Sequence, residues 1–279
     1  MATPKTRSVV KAFHLLQSLR TGNDWLTSAE LSRRANLPEA SGYRLIQTLE
    51  EVGAVVRDPR GRYRPGMLLV ALSEGVTAYD LLREASYPIL RELSARLRTT
   101  VHIGVMEEGM VTYLAKVDEA GRDAVLTKVG AQLEAYCTGL GKVLLAGFPE
   151  EDLEAFLAEG ELVPLTEHTI TDPALLRREI QNIRARGYAI DDREIVPDLR
   201  CVAVPIRDGD GETVAALSSS DNWTRMGEER QEEVRDLLLA ASAAITRKLY
   251  PCSFGAAPTP RLRGRVNGER RLALDSASG

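Results

Sequence analysis

Three cysteines, Cys137, Cys201 and Cys252, and three histidines, His14, His102 and His168, are the side chains through which this sequence could do covalent or general-base chemistry. A thiol attacks only where a base or a positive environment favours the thiolate, and no histidine stands near a cysteine along the chain. A cysteine-dependent enzyme acting on a small carboxylate or amide, with Cys201 or Cys137 as the nucleophile, is therefore the alternative reading. The favoured one is a protein that is not an enzyme. No C-x-x-C pair and no zinc-type spacing occurs, so neither a metal nor a cofactor is expected, and His102, inside a strand pattern, reads as a core or pocket residue.

Binding chemistry is better represented. Cys137-Thr138-Gly139-Leu140-Gly141-Lys142 runs directly into an apolar helix, which would turn the backbone amides near Gly139 to Gly141 towards an anion. The same pattern serves plain packing equally well. Ser218 and Ser220 stand two apart in a strand and share a face, which offers two hydroxyls to one space or to water. Near the start of the chain the donors belong to a different chemistry. Leu45, Ile46, Leu49 and Val52 gather on one arc of a helix and leave Ala40, Tyr43, Arg44 and Gln47 opposite. Arg60 and Arg62 flank a tight turn just beyond, a pattern suited to a polyanion.

Those residues need elements to position them. Val9, Phe13 and Leu16 predict a first helix over residues 7–20. Thr27-Ser28-Ala29-Glu30 is a capping box flanked by Leu26 and Leu31 as a hydrophobic staple, so a second helix starts there. Asn36-Leu37-Pro38 ends it, and a third helix runs from Glu39 to Val52 before Gly53. Ala54-Val55-Val56-Arg57, the turn Asp58-Pro59-Arg60-Gly61 and Arg62-Tyr63-Arg64 predict a hairpin. Two short helices at a tight turn followed by a basic hairpin describe a winged helix-turn-helix, whose second helix of the pair enters the major groove. Gly42 inside the third helix costs it about 1 kcal/mol relative to Ala.

Leu68 and Leu72, then Leu82, Ala85, Ile89, Leu93 and Leu97, predict linker helices over residues 66–98, with a kink or break at Pro88. Beyond them the pattern mixes strands and helices. One hairpin is expected around Glu107-Glu108-Gly109-Met110 and another around Asp208-Gly209-Asp210-Gly211. Helices are expected over 141–147, 150–158, 173–186 and 227–249. The fold class is therefore α+β, an antiparallel sheet with helices packed on it. The expected domains are 1–65 for the winged helix-turn-helix, 66–98 for the linker, 99–251 for the α/β body, which the family resemblance given below makes an effector-binding domain, and 252–279 for a disordered basic tail.

Charge supports the division. Residues 1–65 hold 11 Lys and Arg against 6 Asp and Glu, whereas residues 66–251 hold 20 against 32, so a basic head precedes an acidic body although the whole chain of 279 residues carries a formal −4. Phosphate affinity follows local charge, so only the head is suited to nucleic acid. An apolar content of 44% supports a real core. The opening residues lack an apolar signal segment, and no apolar run nears the ~20 residues of a membrane span. A soluble cytoplasmic protein without a membrane partner is expected.

The stretch from Leu26 to Gly66 resembles the DNA-binding head of IclR-type bacterial transcriptional regulators. The resemblance continues through Tyr136–Ala146, His168–Glu194 and Leu199–Ser220, in order and spacing, and covers about residues 7–250. It implies a GAF-like α/β fold for the C-terminal domain, a partner in double-stranded operator DNA, a small-molecule effector that is a carboxylate or related catabolite, and assembly as a homodimer or dimer of dimers. DNA-contacting positions implied by it and by the helix face are Ser41, Tyr43, Arg44 and Gln47, with Arg60 and Arg62 in the wing. Effector-contacting positions matching the family pattern are Gly139, Leu140, Asp191, Cys201, Ser218 and Ser220. Amides and serine hydroxyls would hold a carboxylate, Asp191 would accept from a ligand hydroxyl, and Cys201 would line the wall. Glu39, Gly42, Leu140 and Asp221-Asn222 depart from the family pattern, which bears on the operator sequence and the ligand's shape.

Overall fold

The computed structural model describes residues 6–19, 25–118 and 127–251. The proposed tail, 252–279, lies outside them. The chain forms two compact units, the first ending at Leu81 and the second beginning at Leu82.

In the first unit, helix α1 (Arg7–Ser18) precedes a short strand β1 (Leu26–Thr27), α2 (Ser28–Arg34) and α3 (Glu39–Glu51). The capping box at the start of α2 forms in full: Thr27 Oγ1 accepts from the Glu30 amide at 3.3 Å, and Glu30 returns a carboxylate oxygen to the Thr27 amide at 2.8 Å. Asn36, with φ of +53°, takes the left-handed conformation that lets the chain reverse between α2 and α3. Strands β2 (Val55–Arg57) and β3 (Arg62–Pro65) form the hairpin, and β1 adds to β3, giving an antiparallel sheet in the order β1-β3-β2. Leu15, Leu31, Ile46, Val55 and Tyr63 meet in one core beneath these elements.

Gly42 is a packing residue. A β-carbon there would lie 2.0 Å from Ser32 Oγ and 2.8 Å from Ser32 Cβ. The bare Cα is what lets α2 and α3 approach this closely, which offsets the residue's poor helix propensity.

Helix α4 (Met67–Ser73) and α5 (Ala78–Leu97) follow the wing. Pro88 lies inside α5 without ending it, so of the kink or break expected from sequence the break does not occur. The seam of Leu82, Ala85, Leu90, Leu93 and Leu97 is buried along both halves of the helix, and this burial outweighs the single backbone hydrogen bond that proline cannot make.

The second unit is built on a six-stranded antiparallel sheet, β4 (Thr100–Glu107), β5 (Met110–Val117), β6 (Gln132–Glu134), β7 (Ala189–Asp192), β8 (Leu199–Arg207) and β9 (Thr213–Asn222), in the order β6-β5-β4-β9-β8-β7. Helices α6 (Gly139–Ala146), α7 (Glu150–Ala158) and α8 (Pro173–Arg186) share a core with one face. Helix α9 (Glu228–Leu249) packs along β8 and β9 and is tied to α5 by Arg230 on the Leu97 carbonyl and Lys248 on the Ala85 carbonyl. Burial on both faces explains why β4 reads as an apolar run rather than an alternating strand.

Candidate functional site

Helix α3 presents Tyr43, Arg44 and Gln47 to solvent, with Ser41 half-buried at its first turn. Tyr43 and Gln47 are one helical turn apart, and the Gln47 side-chain amide donates to the Tyr43 hydroxyl at 3.1 Å. Arg44 is exposed without an ionic partner among the described residues. Glu39 occupies the first position of the same helix, where a carboxylate favours the helix terminus.

The two wing arginines singled out from sequence differ in state. Arg60 is exposed at the turn. Arg62 is committed: its Nε and Nη2 reach Asp58 Oδ2 at 2.8 and 2.7 Å, and Asp58 Oδ1 accepts from the amides of Arg60 and Arg62. These contacts hold the Asp58 carboxyl below its ordinary value despite the opposing effect of burial. The guanidinium closes the hairpin turn through this pair while the Arg62 side chain stays 36% exposed, so a contact from Arg62 to DNA stands as an expectation.

In the second unit all six positions marked from sequence line one cavity of about 190 Å³: Gly139, Leu140, Asp191, Cys201, Ser218 and Ser220. Sheet register explains the grouping. Asp191 pairs with Cys201, and Cys201 with Ser220; beside that row, Ala203 pairs with Ser218, which pairs with His102. Directly opposed residues of antiparallel strands share a face, so residues up to 118 positions apart in sequence converge on one surface. The start of α6 closes this surface. Gly139 sits so tightly that a β-carbon would lie 3.1 Å from Cys201 Sγ and 3.3 Å from Ala203 Cβ. The bulk of Leu140 is accommodated by Gly104, where a β-carbon would come within 3.1 Å of the leucine.

The glycine motif divides its duties. Thr138 caps α6, its Oγ1 accepting from the Gly141 amide at 3.1 Å. The Gly141 amide is thereby spent, and its Cα packs on the Ala135 backbone, 2.2 Å from where a β-carbon would stand. The sequence expectation of ligand-facing amides across 139–141 is narrowed to Gly139 and Leu140.

His102, read from sequence as a core or pocket residue, lines the cavity as well. His102 Nε2 meets Thr127 Oγ1 at 2.7 Å, and its ring packs edge-on against Tyr113 with centroids 5.1 Å apart. Burial pushes His102 down to about 3, so the imidazole is neutral. Asp191 is pushed up to about 7 by burial, with Lys142 opposing, and its Oδ1 accepts from the Glu194 amide at 2.8 Å. Behind the cavity Lys142 is fully buried and bonds the Ile190 carbonyl and Glu194 Oε1. The second oxygen of Glu194 is buried without a partner, and burial raises that carboxyl as well. The pair ties α6 to the segment after β7.

Neither Cys137 nor Cys201 is poised as a nucleophile. Burial pushes Cys201 up to about 12 and raises Cys137 further, and the Asp191 carboxyl adds to both. His102 directs Nε2 at Thr127. Among the described residues no cluster of three metal-ligating side chains occurs, and no helix is long and apolar enough to cross a membrane.

Comparison with known proteins extends over both units. Residues 8–59 match the IclR helix-turn-helix domain, and residues 75–247 match the C-terminal domain of bacterial transcriptional regulator IclR. The chain is similar to the HTH-type transcriptional regulator KdgR of Escherichia coli, 32% identical over 87% of this chain and 92% of the relative. It is also similar to the Pca regulon regulatory protein of Pseudomonas putida, 30% identical over 87% and 84%. Among solved structures, the Thermotoga maritima IclR aligns with a TM-score of 0.58 and 32% identity over 88% of this chain and 99% of that one. An IclR homolog from Microbacterium hydrocarbonoxydans complexed with 4-hydroxybenzoate aligns with a TM-score of 0.59 and 25% identity over 88% and 100%.

Proposed function

Since the chain belongs to the IclR family of transcriptional regulators, with a helix-turn-helix DNA-binding domain and a C-terminal effector-binding domain, we propose that it is a regulator whose operator affinity responds to a small organic acid or related catabolite bound in the β-sheet cavity. One observation carries this reading: Asp191, Cys201, Ser218, Ser220, Gly139 and Leu140 surround a single cavity. Its walls sort by chemistry. Leu133, Leu140, Ile195, Val196 and Leu199 are apolar, while the serines, Asp191, His102 and Thr127 are polar, which suits a ligand with an apolar body and polar ends. The relative crystallised with 4-hydroxybenzoate holds a molecule of this kind.

In this reading the Ser218 and Ser220 hydroxyls and the amides of Gly139 and Leu140, at the positive end of α6, hold the carboxylate. Asp191 accepts from a ligand hydroxyl, and Cys201 fills the wall. Arg44, Tyr43, Gln47 and Ser41 meet the major groove, and Arg60 reaches the backbone from the wing. The protein acts in the cytoplasm, where its DNA lies, as a homodimer or dimer of dimers, because paired heads double the contacts on a palindromic site.

The test combines two steps. Genomic fragments retained by the full chain are sequenced to define an operator, and organic acids are then titrated against that complex. Ser218→Ala/Ser220→Ala is expected to keep operator affinity and lose the response; a response equal to the wild type's would place the ligand elsewhere. Arg44→Ala is expected to lose about 1 to 3 kcal/mol of binding and relax preference at one base pair, whereas equal weakening on every sequence would assign Arg44 to phosphate.

A further inference from the structure

Four arginines project from the wing strands and their turn, and the structure holds them in different ways. Arg62 is locked to Asp58 within the turn. Arg64 stands next to Tyr63 in the strand and so points to the opposite side of the hairpin, where its guanidinium lies 4.7 Å over the Trp25 ring. Arg57 stands across from Tyr63 in the sheet register and shares its face. It is exposed, with no ionic partner among the described residues.

Two independent features hold Arg57 in place. Its guanidinium lies 5.8 Å over the Tyr63 ring. It also crosses the bare Cα of Gly61, where a β-carbon would meet Nη2 at 3.2 Å and Nε at 3.7 Å. Gly61 has a φ of +79°, so glycine satisfies the turn and leaves room for the arginine at once. Tyr63 in turn shares the core of the first unit with Ile46 of α3, against which Leu45 and Leu49 also pack. The ring and the glycine thus form a shelf at the seam between the wing and α3, next to the face bearing Tyr43, Arg44 and Gln47.

An arginine laid on such a shelf has already lost much of its rotamer freedom yet keeps its outward donors, so a phosphate oxygen can be bound at a lower ordering cost. We propose that Arg57, delivered from the Tyr63–Gly61 shelf, makes a second wing contact to DNA besides Arg60, at a phosphate next to the recognition helix, and that Arg62 braces the turn instead. The assignment rests on the DNA-binding reading above, but it needs no knowledge of the operator, because phosphate contacts are independent of sequence.

The experiment measures binding of the full-length chain to a duplex of unrelated sequence by fluorescence anisotropy, between about 50 and 200 mM salt. Arg57→Ala is expected to make the slope of log K against log salt shallower by about 0.9, the loss of one phosphate contact. Arg57→Lys, which keeps the charge, is expected to retain most of the slope, and matching melting temperatures establish that both variants fold. A wild-type slope in Arg57→Ala overturns the assignment, as does a larger loss of slope in Arg62→Ala than in Arg57→Ala. A wild-type chain with no affinity for duplex DNA at low salt would bring down the DNA-binding reading, and this assignment with it.

Discussion

Asp191 shows how burial sets the behaviour of a single residue. Its carboxyl rises from an ordinary 3.8 to about 7, so between these values the folded chain holds a proton that the unfolded chain releases. Stability falls as pH climbs through that window and is flat above it, by an amount on the order of a few kcal/mol for a group this buried. His102, pushed from 6.5 down to about 3, acts in the opposite sense, since the unfolded chain binds the proton and stability is lost as pH falls. The two slopes partly cancel in the wild type. Asp191→Asn keeps an oxygen for the Glu194 amide and removes one slope. The difference in melting temperature between variant and wild type should therefore grow in the variant's favour from about pH 4 to pH 7, and a constant difference would show that Asp191 is ionised throughout. Lys142 and Glu194, which flank this site, were not legible in the sequence. A lysine after a glycine-rich turn carries no mark of burial in its own sequence, and here the fold sets it against a carboxylate 52 residues away.

At the scale of elements, local signals were reliable where the chemistry is local. The capping box and the turn at Asp58 formed because their hydrogen bonds lie within a few residues of one another, and the two long hairpins because a tight turn joins strands that are neighbours in sequence. Strands β6 and β7 escaped, being three and four residues long, too short for alternation to register and defined by the strands they pair with. Gly42 was misjudged for the same reason. Propensity says that alanine should favour α3 by about 1 kcal/mol, while the close passage of Ser32 says that a methyl group has no room. Gly42→Ala is expected to destabilise the first unit by about 1 to 3 kcal/mol through overpacking. Chemical denaturation followed by the fluorescence of Trp25 would measure this, and stabilisation by the alanine would refute the packing account.

At the scale of the whole molecule, the basic head of residues 1–65 and the acidic body of residues 66–251 divide DNA binding from ligand sensing. A monomer with one head would have little discrimination on its own. The proposed dimer predicts that sedimentation will show at least two chains per particle, and that footprints will show two protected half-sites about one helical turn, roughly 34 Å, or a multiple of it apart. A monomer that protects a single half-site would exclude it. The sequence by itself determined the helices of the head, their order and the basic wing, because caps, turns and amphipathic spacing act over a handful of residues. It also marked, by family resemblance, the six positions around the cavity. Only the tertiary structure decided that these six share one space, that Arg62 pairs with Asp58 while Arg57 lies over Tyr63, and that a lysine and a glutamate stand buried behind the site. Each of those outcomes depends on strand register and burial, and both are fixed by contacts between residues far apart in the chain.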